Sequence, residues 1–223
     1  MVELMIAAPA SGSGKTVLAC ALLAALKRRG LDPCAFKCGP DYIDPMFHRS
    51  VLGVDSHNLD LFLSDGDTVR ALYARYAAAH GSVVVEGAMG FYDGLGGSTD
   101  RASAWHTADT LGLPVVLAVR PKGASLTLAA QVRGLQAFRA SSRIAGLFLN
   151  DCSPMLAKSL TPMLERETGL PVLGYLPHME EAVIESRHLG LRTAGEIEGL
   201  TARVRRTAQA LDPTMDWDRL FQL

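Results

Sequence analysis

The sequence is poor in the features that mark secreted, metal-binding or nucleic-acid-binding chains. Its four cysteines, Cys20, Cys34, Cys38 and Cys152, are scattered, and no two have C-x-x-C spacing. That excludes a paired-cysteine zinc or redox motif and leaves free, partly buried thiols in a reducing compartment. No Lys/Arg-rich block stands clear of acidic neighbours, and the formal net charge is -1. A nucleic-acid partner is therefore not expected. No apolar run approaches the ~20 residues that span a bilayer, and no basic segment with a following apolar stretch opens the chain. No membrane partner is expected, and the expected location is cytoplasmic. His48, His57, His80, His106, His178 and His188 show no metal-ligand spacing, and His80 beside Gly81 reads as a helix-end cation. Internal repeats, low-complexity tracts and linkers are absent.

Against these absences stands a large apolar content: 48% hydrophobic and 20% charged residues. A chain of 223 residues with that balance suits one large α/β domain, 1–223, better than two small ones. Short apolar runs alternate with amphipathic ones from end to end. Strands are expected at residues 3–8, 33–37, 82–86, 114–119, 143–149 and 171–176. Helices are expected at 16–29, 67–79, 102–111, 125–140, 154–168 and 194–211, with a short terminal turn or helix at 217–223. Residues 40–60 read as a functional loop with short helical turns, and 91–100 as a glycine-rich loop. Strands apolar on both faces, separated by helices, imply a mostly parallel central sheet covered on both sides, a three-layer α/β fold.

The segment Pro9-Ala10-Ser11-Gly12-Ser13-Gly14-Lys15-Thr16 lies between the first strand and the first helix, the context a phosphate-binding loop requires. Gly12 and Gly14 let the backbone turn its N–H groups toward phosphates, and the helix N-terminus adds positive dipole. Lys15 is placed to reach the β- and γ-phosphates, and Thr16 offers a hydroxyl to Mg2+. Ser11, Gly12, Ser13, Gly14, Lys15 and Thr16 are thus the expected cradle for ATP. Pro9 stands where the plain motif has its first glycine, which gives up one donor. Ala10 stands where the partitioning-type switch ATPases carry a second lysine that reaches across a dimer. Its absence counts against a dimerisation switch while leaving a homodimer open.

Glu86 ends a run of three valines and is followed by Gly87, the place for an acid that holds Mg2+ or its water. Lys37 falls at the end of the second strand, on the same sheet edge as Lys15. A second lysine suits a reaction with two anionic partners, a triphosphate and a carboxylate. Asp41 and Asp44 follow it; they either bind magnesium and orient an acceptor or are solvated turn acids, and chemistry alone leaves both readings open. Tyr42, between them, is placed to pack on a substrate. His48 and His57 lie in the same loop as candidate substrate contacts.

Three strings of residues resemble one family closely: Phe36-Lys37-Cys38-Gly39-Pro40-Asp41-Tyr42-Ile43-Asp44, Asn58-Leu59-Asp60, and Glu86-Gly87-Ala88-Met89-Gly90-Phe91-Tyr92-Asp93-Gly94. Supporting strings are 107–109, 111–116, 146–150 with Pro154, 173–177 and 187–191. Together they resemble the ATP-binding synthetase domain of cobyrinic acid a,c-diamide synthase, itself related to dethiobiotin synthetase. The resemblance implies a dethiobiotin synthetase-like P-loop fold. It also implies a reaction: ATP phosphorylates a substrate carboxylate, and ammonia converts the acyl phosphate to a carboxamide. The implied acceptors are the a and c acetate side chains of a corrinoid, cobyrinic acid. Carried onto this chain, Lys15, Lys37, Asp44 and Asp93 are the implied catalytic residues. Thr16, Asp41 and Glu86 form the implied magnesium shell. Asn150 reads the adenine edge with Pro177 near the base, and Tyr42, Asp44, Met89, Tyr92 and Asp93 meet the substrate. Members of the family carry a C-terminal glutaminase domain that supplies ammonia. That domain is expected to be absent from this chain, which is then either a piece of a longer protein or a stand-alone relative that takes ammonia free or from a separate glutaminase. Arg120 stands where the family commonly has an aspartate. Two rivals remain at this point. One is a same-fold ligase on another acceptor, such as a nickel-sirohydrochlorin amidase or a dethiobiotin-type enzyme. The other is a nucleotide-dependent partner-binding switch.

Overall fold

The protein was analysed as a computed structural model that describes residues 2–179 and 194–223. Seven strands, β1 (Val2–Ala7), β2 (Pro33–Cys38), β3 (Ser56–Leu59), β4 (Ser82–Glu86), β5 (Val115–Val119), β6 (Ile144–Asn150) and β7 (Val172–Leu176), form one sheet in the order β3-β2-β4-β1-β5-β6-β7. Every pairing in it is parallel, so the sheet expected to be mostly parallel is wholly so among the described residues. The helices are α1 (Lys15–Arg28), α2 (Ile43–Phe47), α3 (Gly66–Ala77), α4 (Ala104–Leu111), α5 (Leu126–Ala137), α6 (Pro154–Thr168), α7 (Ala194–Leu211) and α8 (Trp217–Phe221).

The period of two along each strand divides the core. Met5 and Ala7 of β1, with Phe36, Val85 and Leu117, pack against Val69 of α3, Ala108 of α4, Val132 of α5 and Leu164 of α6. Leu4 and Ile6 of β1, with Val84 and Phe148, pack against Leu18, Leu22 and Leu26 of α1 and Leu211 of α7. Burial on both faces explains why these strands read as continuous apolar runs. A smaller cluster joins Cys20 of α1, Phe47 of α2, Val51, and Leu200 and Val204 of α7. It pins the segment after β2 to the body of the domain.

Most boundaries fall within two or three residues of the sequence expectation, as fraying helix ends allow. The exception is residues 40–60, read as a loop with helical turns. There the chain forms α2, a π-helical turn (His48–Leu52) and the edge strand β3. β3 is only Ser-His-Asn-Leu, with its ends buried and its middle half-buried. Such a strand has neither β-branched residues nor alternation, so no periodic signal announces it. His80, expected as a helix-end cation, lies three residues beyond the end of α3, with Nδ1 3.1 Å from Asp32 Oδ2 and Nε2 3.6 Å from Asp55 Oδ2. All four cysteines are free and buried. Among the described residues no helix is long and apolar enough to cross a membrane. The 187–191 string of the family resemblance lies outside the described residues.

Candidate functional site

Parallel register assembles the site. Ile6 of β1 and Lys37 of β2 both pair with Glu86 of β4, and Lys37 also pairs with Asn58 of β3. One row across the C-terminal edge of the sheet therefore reads Asn58, Lys37, Glu86, Ile6, and the phosphate loop begins three residues after Ile6, at Pro9. Ligands of open parallel sheets collect at this edge.

Lys37 is 6% exposed and Glu86 1% exposed. The Lys37 Nζ donates to Glu86 Oε1 at 2.7 Å and pairs with Asp44 Oδ2 at 2.6 Å. Asp44 arrives there because Asp41 Oδ1 accepts from the backbone N–H groups of Ile43 and Asp44, at 2.8 and 3.1 Å, and so starts α2. Asn58 Nδ2 in turn donates to the Asp41 carbonyl at 2.6 Å, holding that turn over the sheet edge. Burial would lower the Lys37 pKa, but Glu86 and then Asp44 outweigh it, and the ammonium is held above the ordinary lysine value. Burial, and then the Glu86 charge, push the Asp44 carboxyl up to about 6 against the pull of Lys37. Two acids thus share one buried cation, an arrangement that is electrostatically incomplete.

The phosphate loop closes on the same cluster. Thr16 Oγ1 donates to Glu86 Oε1 at 2.6 Å. Gly14 precedes α1 at φ 95°, a conformation open mainly to glycine. A Cβ there would stand 1.9 Å from Asn150 Nδ2. The space is needed because Asn150 Nδ2 donates to the Ser13 carbonyl at 3.0 Å, tying β6 to the loop. Lys15 is 8% exposed, and its Nζ donates to the Met89 carbonyl and, at 3.4 Å, to that of Ala10. Burial lowers its pKa; Glu86 and Asp93 oppose this while Lys37 adds to it. Its bonding partners are carbonyl groups rather than carboxylates, which leaves its charge available to an anion.

The donor set fits a magnesium ion. Glu86 Oε2 is buried and has no hydrogen-bond partner, while Thr16 contributes a hydroxyl beside it. Hydroxyl and carboxylate oxygens are the hard ligands Mg2+ prefers, and it takes one or two of them together with substrate phosphates. Among the described residues no group of three or more His, Cys, Asp or Glu side chains forms a protein-only metal cage. A cavity of about 320 Å³ runs from Gly12, Lys15 and Thr16 to Asn150 and Pro177. The structure thus brings together Lys15, Thr16, Asn150 and Pro177 along one cavity, and Lys37, Asp44 and Glu86 beside it, with Asp41 positioning Asp44.

Other expected residues are placed differently from one another. Ser11 and Gly12 are exposed and Ser13 half-buried on the loop. Tyr42 is 87% exposed and Met89 56% exposed, and both follow strand ends at the site edge. Asp93 is exposed and its Oδ2 accepts from the Gly90 N–H at 3.0 Å, shaping the turn after β4. Tyr92 is built into the fold: its hydroxyl donates to the Leu135 carbonyl of α5 at 2.7 Å, and its ring meets Phe91, Trp105 and Phe138. His57 stacks on Tyr76 at 3.5 Å. His48 is buried, with Nδ1 at 3.0 Å from Ser56 Oγ and Nε2 without a partner. Burial drives its pKa down to about 4.

Sequence reasoning missed part of the cavity wall. Arg120 donates to the Gly12 carbonyl at 3.2 Å and pairs with Asp151, which also meets His178 Nδ1 at 2.7 Å. Their separation in sequence hides the group; the common position of Arg120 and Asp151, directly after β5 and β6, was the available signal.

Comparison with known proteins shows the family and the fold. The chain is 40% identical over 223 residues to the cobyrinate a,c-diamide synthase of Clostridium tetani, covering 100% of this chain and 50% of that protein. It is 42% identical over 222 residues to the hydrogenobyrinate a,c-diamide synthase of Brucella ovis, covering 97% of this chain and 49% of that protein. The chain thus spans about half the length of the curated relatives it matches. Among solved structures, a ParA family ATPase from Chlorobium tepidum superposes with a TM-score of 0.58 at 15% identity, over 94% of this chain and 99% of that one, a likeness of fold. The model of one domain family matches residues 4–191, a span that includes the phosphate loop, Lys37, Glu86 and Asn150. With the fold, the loop and this match in agreement, the chain belongs to the CobQ/CobB/MinD/ParA nucleotide binding domain family.

Proposed function

We propose that this domain performs the ATP-dependent amidation of corrinoid carboxylates, the a and c acetates of cobyrinic acid, through an acyl phosphate. The observation that carries the proposal is the buried Lys37–Glu86–Asp44 cluster beside Lys15 and Thr16. A nucleotide switch needs a phosphate loop and an acid. A second buried lysine with its own acid, adjoining the phosphate end of the cavity, suits a second anion to be activated. The names of the similar proteins, cobyrinate and hydrogenobyrinate a,c-diamide synthase, supply the acceptor class.

A carboxylate is a poor electrophile, and phosphorylation turns one of its oxygens into a leaving group. In the proposed reaction a substrate carboxylate oxygen attacks the γ-phosphorus of ATP and ADP departs. The nitrogen of ammonia then attacks the acyl carbon and phosphate departs, leaving a carboxamide. Thr16 and Glu86, with Asp41 as a third ligand, would hold Mg2+, which when bound neutralises phosphate charge. Lys15 leaves the Met89 carbonyl for the phosphates. Lys37 is fixed by Glu86 and Asp44 so that it bridges the transferred phosphoryl group and the carboxylate. Asp44 keeps Lys37 charged, and Tyr42, Met89, Tyr92 and Asp93 border the acceptor. Asn150 and Pro177 hold the adenine. The proposed partners are ATP, the corrinoid and a source of ammonia, either free or from a glutaminase.

Release of ADP on mixing the protein with Mg2+-ATP, cobyrinic acid and ammonium tests the proposal, with amide formation read by product mass. Turnover that depends on the corrin and is lost in Lys15→Ala is expected. Turnover without a corrin, or an undiminished Lys15→Ala variant, overturns it. The Brucella ovis relative names a hydrogenobyrinate acceptor, so cobalt-containing and cobalt-free corrins belong side by side in the assay.

A further inference from the structure

We infer that Arg120 sets the purine preference of the cavity by keeping Asp151 closed to a guanine base. The inference rests on the nucleotide reading of that cavity given above. Arg120 follows β5 and Asp151 follows β6, and the register pairs Val119 with Leu149 immediately before them. Neighbouring parallel strands therefore deliver the two side chains to one wall, which they share with Asn150 and Pro177.

Both carboxylate oxygens of Asp151 are engaged there. Arg120 Nη2 donates to Oδ2, and His178 Nδ1 lies 2.7 Å from Oδ1. The Arg120 bond, with His178 helping, holds the carboxyl below its ordinary pKa, so it stays an anion with a partner already on each oxygen. The other Arg120 amino group, Nη1, donates to the Gly12 carbonyl at 3.2 Å, which fixes the guanidinium between the phosphate loop and Asp151. Asp151 itself holds φ +55°, a left-handed conformation that aspartate tolerates better than most residues.

The two purines differ in what they show such a wall. Guanine presents its N1–H and 2-amino group side by side, and an uncommitted carboxylate accepts both in a bidentate pair. Adenine presents a bare N1 acceptor there, which a free carboxylate repels. An unpaired Asp151 at this position would favour guanine. With Arg120 and His178 on its oxygens it offers no such pair. Asn150, which spends a donor on Ser13 at 3.0 Å, keeps a carbonyl oxygen to accept from the 6-amino group of adenine. Arg120 is thus a specificity-determining residue that acts through Asp151.

Calorimetric titration of the full chain with Mg2+-ATP and Mg2+-GTP tests this in the wild type, Arg120→Ala and Arg120→Ala/Asp151→Asn. The wild type is expected to prefer ATP. In Arg120→Ala the ratio of GTP to ATP affinity should rise by about ten-fold or more, the discrimination one bidentate contact supplies. In the double variant that ratio should return close to the wild-type value. Loss of the Gly12 contact weakens both nucleotides alike and drops out of the ratio. Equal weakening of the two nucleotides in Arg120→Ala, or a shift that persists once Asp151 is neutral, overturns the inference. A wild type that binds neither nucleotide refutes the nucleotide reading itself, a result distinct from an unchanged ratio.

Discussion

Replacing Lys37 by methionine removes the one cation that two buried acids share. The chain length and most of the packing volume are kept, so the change isolates the charge. Asp44 and Glu86 are 6% and 1% exposed, and Glu86 Oε2 already has no partner. Breaking a buried pair by removing one member costs about 3–5 kcal/mol, because the other charge stays desolvated and unpaired. For a domain of this size that corresponds to a fall in Tm of about 6–20 °C. The loss should depend on pH in a definite direction. Without the ammonium, burial and then the Glu86 charge act unopposed on Asp44 and hold its carboxyl pKa in the folded variant above the unfolded value. Its folded state then binds more protons than its unfolded state, so its stability increases as pH falls. Urea unfolding followed by the fluorescence of Trp105 and Trp217, at pH 7.5 and pH 5, measures both effects. A deficit of 3–5 kcal/mol at the higher pH should shrink at the lower. A deficit under about 1 kcal/mol, or one that grows on acidification, would refute the account of Lys37 as the charge that makes this cluster tolerable.

Three further outcomes follow from the same geometry. Gly14→Ala places a methyl group 1.9 Å from Asn150 Nδ2 at φ 95°; it should destabilise by about 1–3 kcal/mol and abolish nucleotide binding, read by urea midpoint and titration calorimetry. Thr16→Val removes the hydroxyl beside Glu86, so the gain in ADP affinity on adding Mg2+ should fall by about ten-fold, while metal-free ADP binding changes little. His48, with a folded pKa of about 4 against the ordinary histidine value of 6.5, stabilises the fold above pH 6.5, and that contribution is lost as pH falls toward 4. Asp44, raised to about 6, acts in the opposite sense over an overlapping range. His48→Gln should therefore gain stability relative to wild type on acidification, by about 3 kcal/mol between pH 7 and pH 4. Parallel urea titrations at those two pH values would show equal slopes if the buried imidazole were not the cause.

The sequence by itself determined the class of fold and the phosphate end of the site. Runs such as Val83-Val84-Val85 are apolar on both faces, so their burial between helices follows from period alone, and Gly12-Ser13-Gly14-Lys15-Thr16 between strand and helix carries its own geometry. Glu86 was legible for the same local reason, as an acid closing a buried strand. Asp41 and Asp44 could not be told from solvated turn acids, because their roles depend on what lies across the sheet. Only the register of β2 against β4 sets Lys37 beside Glu86, and only the anchoring of α2 by Phe47 swings Asp44 onto Lys37 while Asp41 caps the turn. Tyr92 shows the converse: its motif is local, but the partner of its hydroxyl, the Leu135 carbonyl of α5, comes only from the packing of α4 and α5. β3 escaped notice because four polar-rich residues gain their strand conformation from pairing with β2. Arg120, Asp151 and His178 meet only because adjacent strands end at one edge. Local periodicity and turn chemistry travel with the residues themselves. Contacts between distant segments arise from strand order and register, which burial and pairing settle only once the whole sheet is built.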